Sequence, residues 1–226
     1  MNPDFARQYY ESANPDHWWF QGRSRIVGRL LSDNGCTSGA ALDIGAGSIT
    51  LFPESFETVR VDAVIPEPAG SGAFVRGSAL RLPFREATFD VVGLFDLIEH
   101  IADEASLLAN IRRVLKPGGI VVATVPAHQW LWSSHDVQAA HVRRYSEKEL
   151  EAIFRASSFR VIACRQFYGF LLVPAIARKA LHLKRGIGVP PPFVNRVLGY
   201  LAERSAMESL RRSRWGLSIA LLATID

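Results

Sequence analysis

ALDIGAGSIT, Ala41 to Thr50, runs apolar around Asp43 and then stops at two glycines, Gly45 and Gly47. A short apolar run ending in a glycine turn reads as a buried strand feeding a ligand-binding loop. The same punctuation recurs outward along the chain. ETVRVDAV, GAFVRGS, FDVVGLFDLI, GIVVATVP, FRVIACRQF and WGLSIALLATI supply six further strand patterns. Between them lie helical patterns: residues 15–32, with Ile26, Val27, Leu30 and Leu31 in one stripe, and a helix capped by Asp103. The KPGG at 116–119 is expected to end that helix, and SEKELEAIFRA opens the next with a capping box of Ser146 and Glu149. Alternation of this kind predicts an α/β fold, a seven-stranded mostly parallel sheet with helices on both faces. About 45 residues after Phe167 break the alternation and read as a helical insertion between the last two strands. The expected organisation is one domain over 1–226: a helical lid (1–37), a cofactor-binding core (38–170), the insertion (171–215) and the last strand (216–226).

Composition narrows the classes. Of 226 residues, 48% are hydrophobic and 21% charged, as in ordinary globular proteins. Two cysteines, Cys36 and Cys164, suit a reducing compartment and form no metal-ligand spacing, so no metal is expected. No apolar run is long enough to span a bilayer, and the first residues lack a signal-peptide pattern, which leads us to expect a cytoplasmic protein. The net charge of +4 is uneven: residues 171–215 hold nine Lys or Arg against two Glu. That excess suggests an anionic partner or a solvated helical face.

The loop after Asp43 also selects its ligand. Asp62 ends the second strand 19 residues further on, a spacing that suits a carboxylate receiving ribose hydroxyls. A diphosphate wants a third glycine and a helix N-terminus, whereas Ile49 or Thr50 stands there and Pro53 follows. Asp43 would repel a diphosphate but suits an ammonium group. S-adenosyl-L-methionine carries an amine and a sulfonium and no phosphate, so it is the expected cofactor.

ALDIGAGS, VRVDAVIP, GSALRLPF, ATFDVVGLFDLIEHI and VLKPGGIVVATVP, in this order, resemble the class I, Rossmann-like S-adenosylmethionine-dependent methyltransferases. The resemblance spans roughly Ala40 to Phe167. It implies an antiparallel last strand and a cofactor across the ends of the first, second and fourth strands. Asp43, Gly45, Ala46 and Gly47 would meet the methionine and ribose portions, Asp62 with Ala63 the ribose, and Phe95 and Asp96 the methionine end. Ser78 replaces the acid that often binds the adenine amine, with Ala79 and Leu80 adding backbone groups. The helix after the second strand is expected to be nearly absent, because VIPEPAGSGAF is rich in Pro and Gly. HWWFQGR (residues 17–23) resembles a subset in which an aromatic helix closes over the cofactor. Arg23 would then pair with the methionine carboxylate, and Tyr9, Trp18, Trp19 and Tyr168 would wall the substrate. Trp18, Trp19 and Phe20 serve equally well as core aromatics.

Methyl transfer to a hydroxyl needs a base, and SSHDVQAAHVRRYS follows the fifth strand, where a substrate base belongs. His141 is the first candidate, assisted by His135 or Asp136, with His100 second and Glu99 beside it on the cofactor side. Arg143 and Arg144 would hold an acidic group. Alternatively, Asp136 and His141 only brace the loop. The leading expectation is O-methylation of a small or lipid-like acceptor. The insertion would serve as lid, as contact with the inner face of an anionic membrane, or as a homodimer interface. A non-methylating enzyme such as a cyclase, or a cofactor-binding protein, is the alternative. An RNA methyltransferase ranks lower and a nicotinamide oxidoreductase last; nucleic acid is not expected as a partner.

Overall fold

The structure is a computed structural model and describes residues 14–64, 73–181, 190–212 and 215–226. Tyr9, Lys184, Arg185, Arg214 and most of the Pro- and Gly-rich stretch after Val64 lie outside the described residues.

Seven strands form one sheet: β1 (Gly39–Ile44), β2 (Phe56–Asp62), β3 (Ala73–Arg76), β4 (Phe89–Phe95), β5 (Leu115–Pro126), β6 (Arg160–Phe167) and β7 (Ser218–Thr224). Their spatial order is β3-β2-β1-β4-β5-β7-β6. The β1–β2, β1–β4, β2–β3 and β4–β5 pairs are parallel, and β7 runs antiparallel between β5 and β6. Six helices accompany them among the described residues: α1 (Trp18–Asp33), α2 (Glu104–Val114), α3 (Ser134–Gln138), α4 (Glu147–Ala156), α5 (Leu172–Ala180) and α6 (Pro192–Arg212).

The period-two rule of strands divides the core between the two sheet faces. Leu42, Ile44, Val92, Leu94, Val121, Ala123, Leu221 and Ala223 pack with Leu107, Leu108 and Ile111 of α2 and with Leu150 and Phe154 of α4. Their neighbours Ala41, Val91, Val122 and Leu222 point the other way, onto Val27 and Leu31 of α1 and onto Phe52. Asp103 accepts from Ser106 N to cap α2, and Ser146 and Glu149 form the expected capping box on α4. The KPGG segment departs from expectation. α2 ends at Val114, and Leu115 already pairs with Phe89, so the strand begins ahead of the proline. Lys116 fixes this register by gripping both oxygens of Asp90 at 2.8 and 2.9 Å.

α5 and α6 lie between β6 and β7, and α6 docks on α1. Asn195 ties the two ends together, accepting from Trp18 N at 3.0 Å and donating to the Asp16 carbonyl. Gly22 allows close approach, because a Cβ there would sit 2.4 Å from the Tyr168 hydroxyl and 2.9 Å from Ala202 Cβ. The outer sides of α5 and α6 expose Val173, Leu181, Phe193 and Tyr200. Among the described residues no helix is long and apolar enough to cross a membrane.

Candidate active site

The strand order reverses between β1 and β4, and in open α/β sheets the crevice beyond the strand ends at such a point takes the ligand. The glycine loop turns there. Gly45 has φ +69° and Gly47 φ +50°, and a Cβ on Gly45 would meet Leu97 Cδ1 at 2.7 Å. Asp62 braces the turn by accepting from Gly47 N at 3.0 Å and from Val64 N at 3.1 Å. Asp43 is fully buried beneath it. Burial pushes its carboxyl up to about 7, against the pull of Thr50 and Arg60. Neither oxygen of Asp43 completes a hydrogen bond with a described residue. A buried acceptor in need of a donor fits an ammonium group at the glycine turn and does not fit a phosphate.

Beyond β2, Ala63 accepts from Arg76 Nε through its carbonyl. Ser78 Oγ accepts from Leu80 N at 3.2 Å, and Asn110 donates to the Leu80 carbonyl, so Ser78, Ala79 and Leu80 form a locally tied turn. Ala46 is buried in the glycine loop. Phe95 leans on Phe52 over the space that Gly93 leaves open. Asp96 takes a positive φ of 54° at the end of β4.

Arg23 meets partners within the protein. Its guanidinium is buried and binds Asp96 and Thr124 Oγ1, with Trp19 stacked at 5.1 Å. The carboxylate it meets belongs to the protein itself, because α1 lays Arg23 directly over the end of β4. Trp18 and Tyr168 are buried in a core cluster with Ile26 and Phe167, and Trp19 packs against it at 5.1 Å from Tyr168. The core-aromatic reading therefore describes Trp18 and Tyr168 better than a substrate wall does. Burial also raises the Tyr168 hydroxyl well above its ordinary range.

The loop after β5 organises around Asp136, which is fully buried. Its oxygens accept from His141 Nδ1 (2.9 Å), Arg144 Nε (2.7 Å) and Nη2 (3.0 Å), and Ser133 N and Oγ. Burial alone would raise its carboxyl, but the bonds from His141 and Arg144 hold it far below the usual carboxylate range. Arg144 is thus held within the fold by Asp136 and the Ala127 carbonyl. Exposed Arg143 pairs with Glu104 at 3.2 Å. His135 lies 6.3 Å from His141, ring to ring.

The loop carries His141 onto β4's exit: Val142 N donates to the Glu99 carbonyl at 2.7 Å, and the His141 ring stands edge-on to His100 at 4.7 Å. Burial, then the nearby His141, lowers His100 to about 4. Glu99 is fully buried, and burial followed by the charge of Asp96 raises its carboxyl well above normal. Linear spacing gave no metal-ligand set, yet the fold gathers Glu99, His100 and His141, with ligand atoms within 4.8 Å of one another. The IEH run was the only sequence signal for this trio, because His141 lies 41 residues beyond His100.

The chain matches the family described as "Methyltransferase domain" over residues 30–123. It is 31% identical over 131 residues to an uncharacterized methyltransferase of Mycobacterium leprae, covering 56% of this chain and 48% of that protein. It is 29% identical over 157 residues to an O-methyltransferase of Penicillium expansum, covering 62% and 55%. The chain therefore spans about half the length of the curated relatives it matches. Its fold is shared with the Burkholderia thailandensis 1,6-didemethyltoxoflavin-N1-methyltransferase, solved with bound S-adenosylhomocysteine (TM-score 0.61, 20% identity, 99% of this chain and 86% of that one). Sheet order, glycine turn and these likenesses together support a class I, Rossmann-like S-adenosylmethionine-dependent methyltransferase fold, with the methyltransferase-domain match running over residues 30–123.

Proposed function

We propose that the protein transfers a methyl group from S-adenosylmethionine to an oxygen of a small or lipid-like acceptor. The observation that carries this reading is that the carboxyl ends of the adjacent central strands β1 and β4 hold both the glycine turn over buried Asp43 and the Glu99–His100–His141 cluster. S-adenosylmethionine, when bound, supplies an electrophilic methyl on a sulfonium. Asp43 would receive the ammonium group, the turn from Gly45 to Gly47 would admit the ribose, and Asp62 would hold its hydroxyls. Ser78, Ala79 and Leu80 border the adenine side. Asp136 holds His141 by Nδ1 and so leaves Nε2 to take a proton, the arrangement a general base needs. His100 stands beside it, uncharged at neutral pH. The O-methyltransferase of Penicillium expansum supports oxygen as acceptor atom, and the N1-methyltransferase of the Burkholderia structure is the counterexample.

The lid role of α1, α5 and α6, contact with an anionic membrane and a cytoplasmic setting belong to the same proposal. Exposed apolar residues on α5 and α6 support it.

Calorimetric titration with S-adenosylmethionine and S-adenosylhomocysteine tests the cofactor half. We expect micromolar binding of both and its loss in Asp62→Ala; absence of binding to the wild-type protein defeats the reading. Turnover of a panel of phenols and amines then separates oxygen from nitrogen acceptors.

A further inference from the structure

Where β4 gives way to the Ile98–His100 turn, the Glu99 carboxylate and the rings of His100 and His141 face a common point. Each imidazole is held by its Nδ1: His141 on Asp136 Oδ1 at 2.9 Å, His100 on the Ala140 carbonyl at 3.4 Å. With Nδ1–H as donor in both rings, both Nε2 atoms keep a lone pair, the tautomer that a metal-binding histidine adopts. Glu99 is fully buried, and among the described residues neither carboxylate oxygen has a hydrogen-bond partner. A buried carboxylate without donors is costly, and a cation between it and two imidazoles removes the cost.

We propose that Glu99, His100 and His141 form a binding site for a divalent first-row transition-metal ion, with Asp136 as the positioning residue for His141. Two nitrogens and one carboxylate match zinc-type sites that keep an open position, and they are too rich in nitrogen for calcium or magnesium. Ligand atoms about 3.3 Å apart suit tetrahedral bonds of roughly 2 Å, so a small rotation of the side chains closes the 4.8 Å spread around an ion. Binding of the ion stands apart from methyl transfer; its use there rests on the reading given above. An acceptor hydroxyl reaching the open position becomes more acidic and gives its proton to water. Its oxygen then bonds to the methyl carbon as the carbon–sulfur bond breaks, and the sulfonium leaves as a thioether. The ion-free protein would rely on His141 Nε2 alone.

The test is titration of the metal-stripped full chain with Co²⁺ and with Zn²⁺, followed by calorimetry and visible absorption. We expect one ion per chain, d–d bands without thiolate charge transfer, and affinity reduced at least about 100-fold in Glu99→Gln and in His100→Gln. Asp136→Asn should weaken binding by about 10–100-fold, and thermal unfolding verifies that each variant folds. No saturable Co²⁺ binding by wild type, or wild-type affinity retained in Glu99→Gln and His100→Gln, overturns the site. Titrating the same sample with S-adenosylmethionine keeps the two readings separate: cofactor binding without ion binding refutes the metal site alone, and the reverse refutes the cofactor reading.

Discussion

Asp43 and Asp136 are both fully buried, and their surroundings push them in opposite directions. Asp136 is saturated with donors, so its folded pKa lies below the unfolded value. Its contribution to stability is present above about pH 4 and is lost as acid protonates it. Asp136→Ala leaves the Arg144 guanidinium buried without its partner, and urea unfolding should show a loss of about 3–5 kcal/mol. Asp43 is raised to about 7, so the folded state holds this proton more tightly than the unfolded chain does. Stability from Asp43 therefore falls as pH rises from about 4 to about 7, and Asp43→Asn should abolish that decline. An ammonium group arriving beside Asp43 would pull its pKa back down. Cofactor binding near pH 6 should then release a proton, seen as a calorimetric enthalpy that depends on the buffer, and near pH 8.5 it should not.

At the scale of elements, the ends of strands and the seams between helices build the site. Asp96, His128 and Tyr168 take φ of 54°, 63° and 63° just beyond β4, β5 and β6. Non-glycine residues with positive φ are uncommon, and each costs energy that the surrounding structure must repay. Arg23 repays it at Asp96 through paired hydrogen bonds, and Trp18, Trp19 and Phe170 repay it at Tyr168 by packing. The α1–α6 seam depends on a missing side chain at Gly22. Gly22→Val should force α1 from Tyr168 and Ala202 and lower stability by about 1–3 kcal/mol, measured by thermal unfolding. The loss should exceed that of Gly35→Ala, where nothing stands within 4 Å of the added carbon and only its φ of 77° is strained.

Across the whole molecule, the sheet separates two roles. The end of β1 and β4 carries the loop and the histidines, while α5 and α6 expose apolar side chains. Phe193 is 78% exposed and Val173 73%. Exposed apolar residues in a segment whose sequence is rich in Lys and Arg are the pattern that an anionic lipid surface would take up. Anionic liposomes should therefore sediment the wild-type protein, and Phe193→Asp with Tyr200→Asp should release it. If the protein stays in solution, the membrane reading fails, and a mass that rises with concentration would assign the face to a second copy.

The seven strands along the chain, the glycine turn and both helix caps were legible because they depend on local chemistry: periodicity, a residue without a Cβ, a hydroxyl three residues from a carboxylate. Asp43 and Asp62 were legible too, since their place at strand ends follows from the alternation alone. Arg23, Arg144 and Tyr168 were not. Long side chains choose partners across the fold, and nothing near Arg144 in sequence tells that Asp136 has already claimed its guanidinium. The trio of Glu99, His100 and His141 is the clearest case, because the parallel β4–β5 pairing and long-range hydrogen bonds such as those of Val142 to Glu99 and His100 to Ala140 close the 41-residue gap between the histidines. By itself the sequence determined the α/β fold and the glycine turn at the end of its first strand. The tertiary structure decided which charges are neutralised internally and which polar groups face one another, since burial and distance, not order along the chain, set their energies.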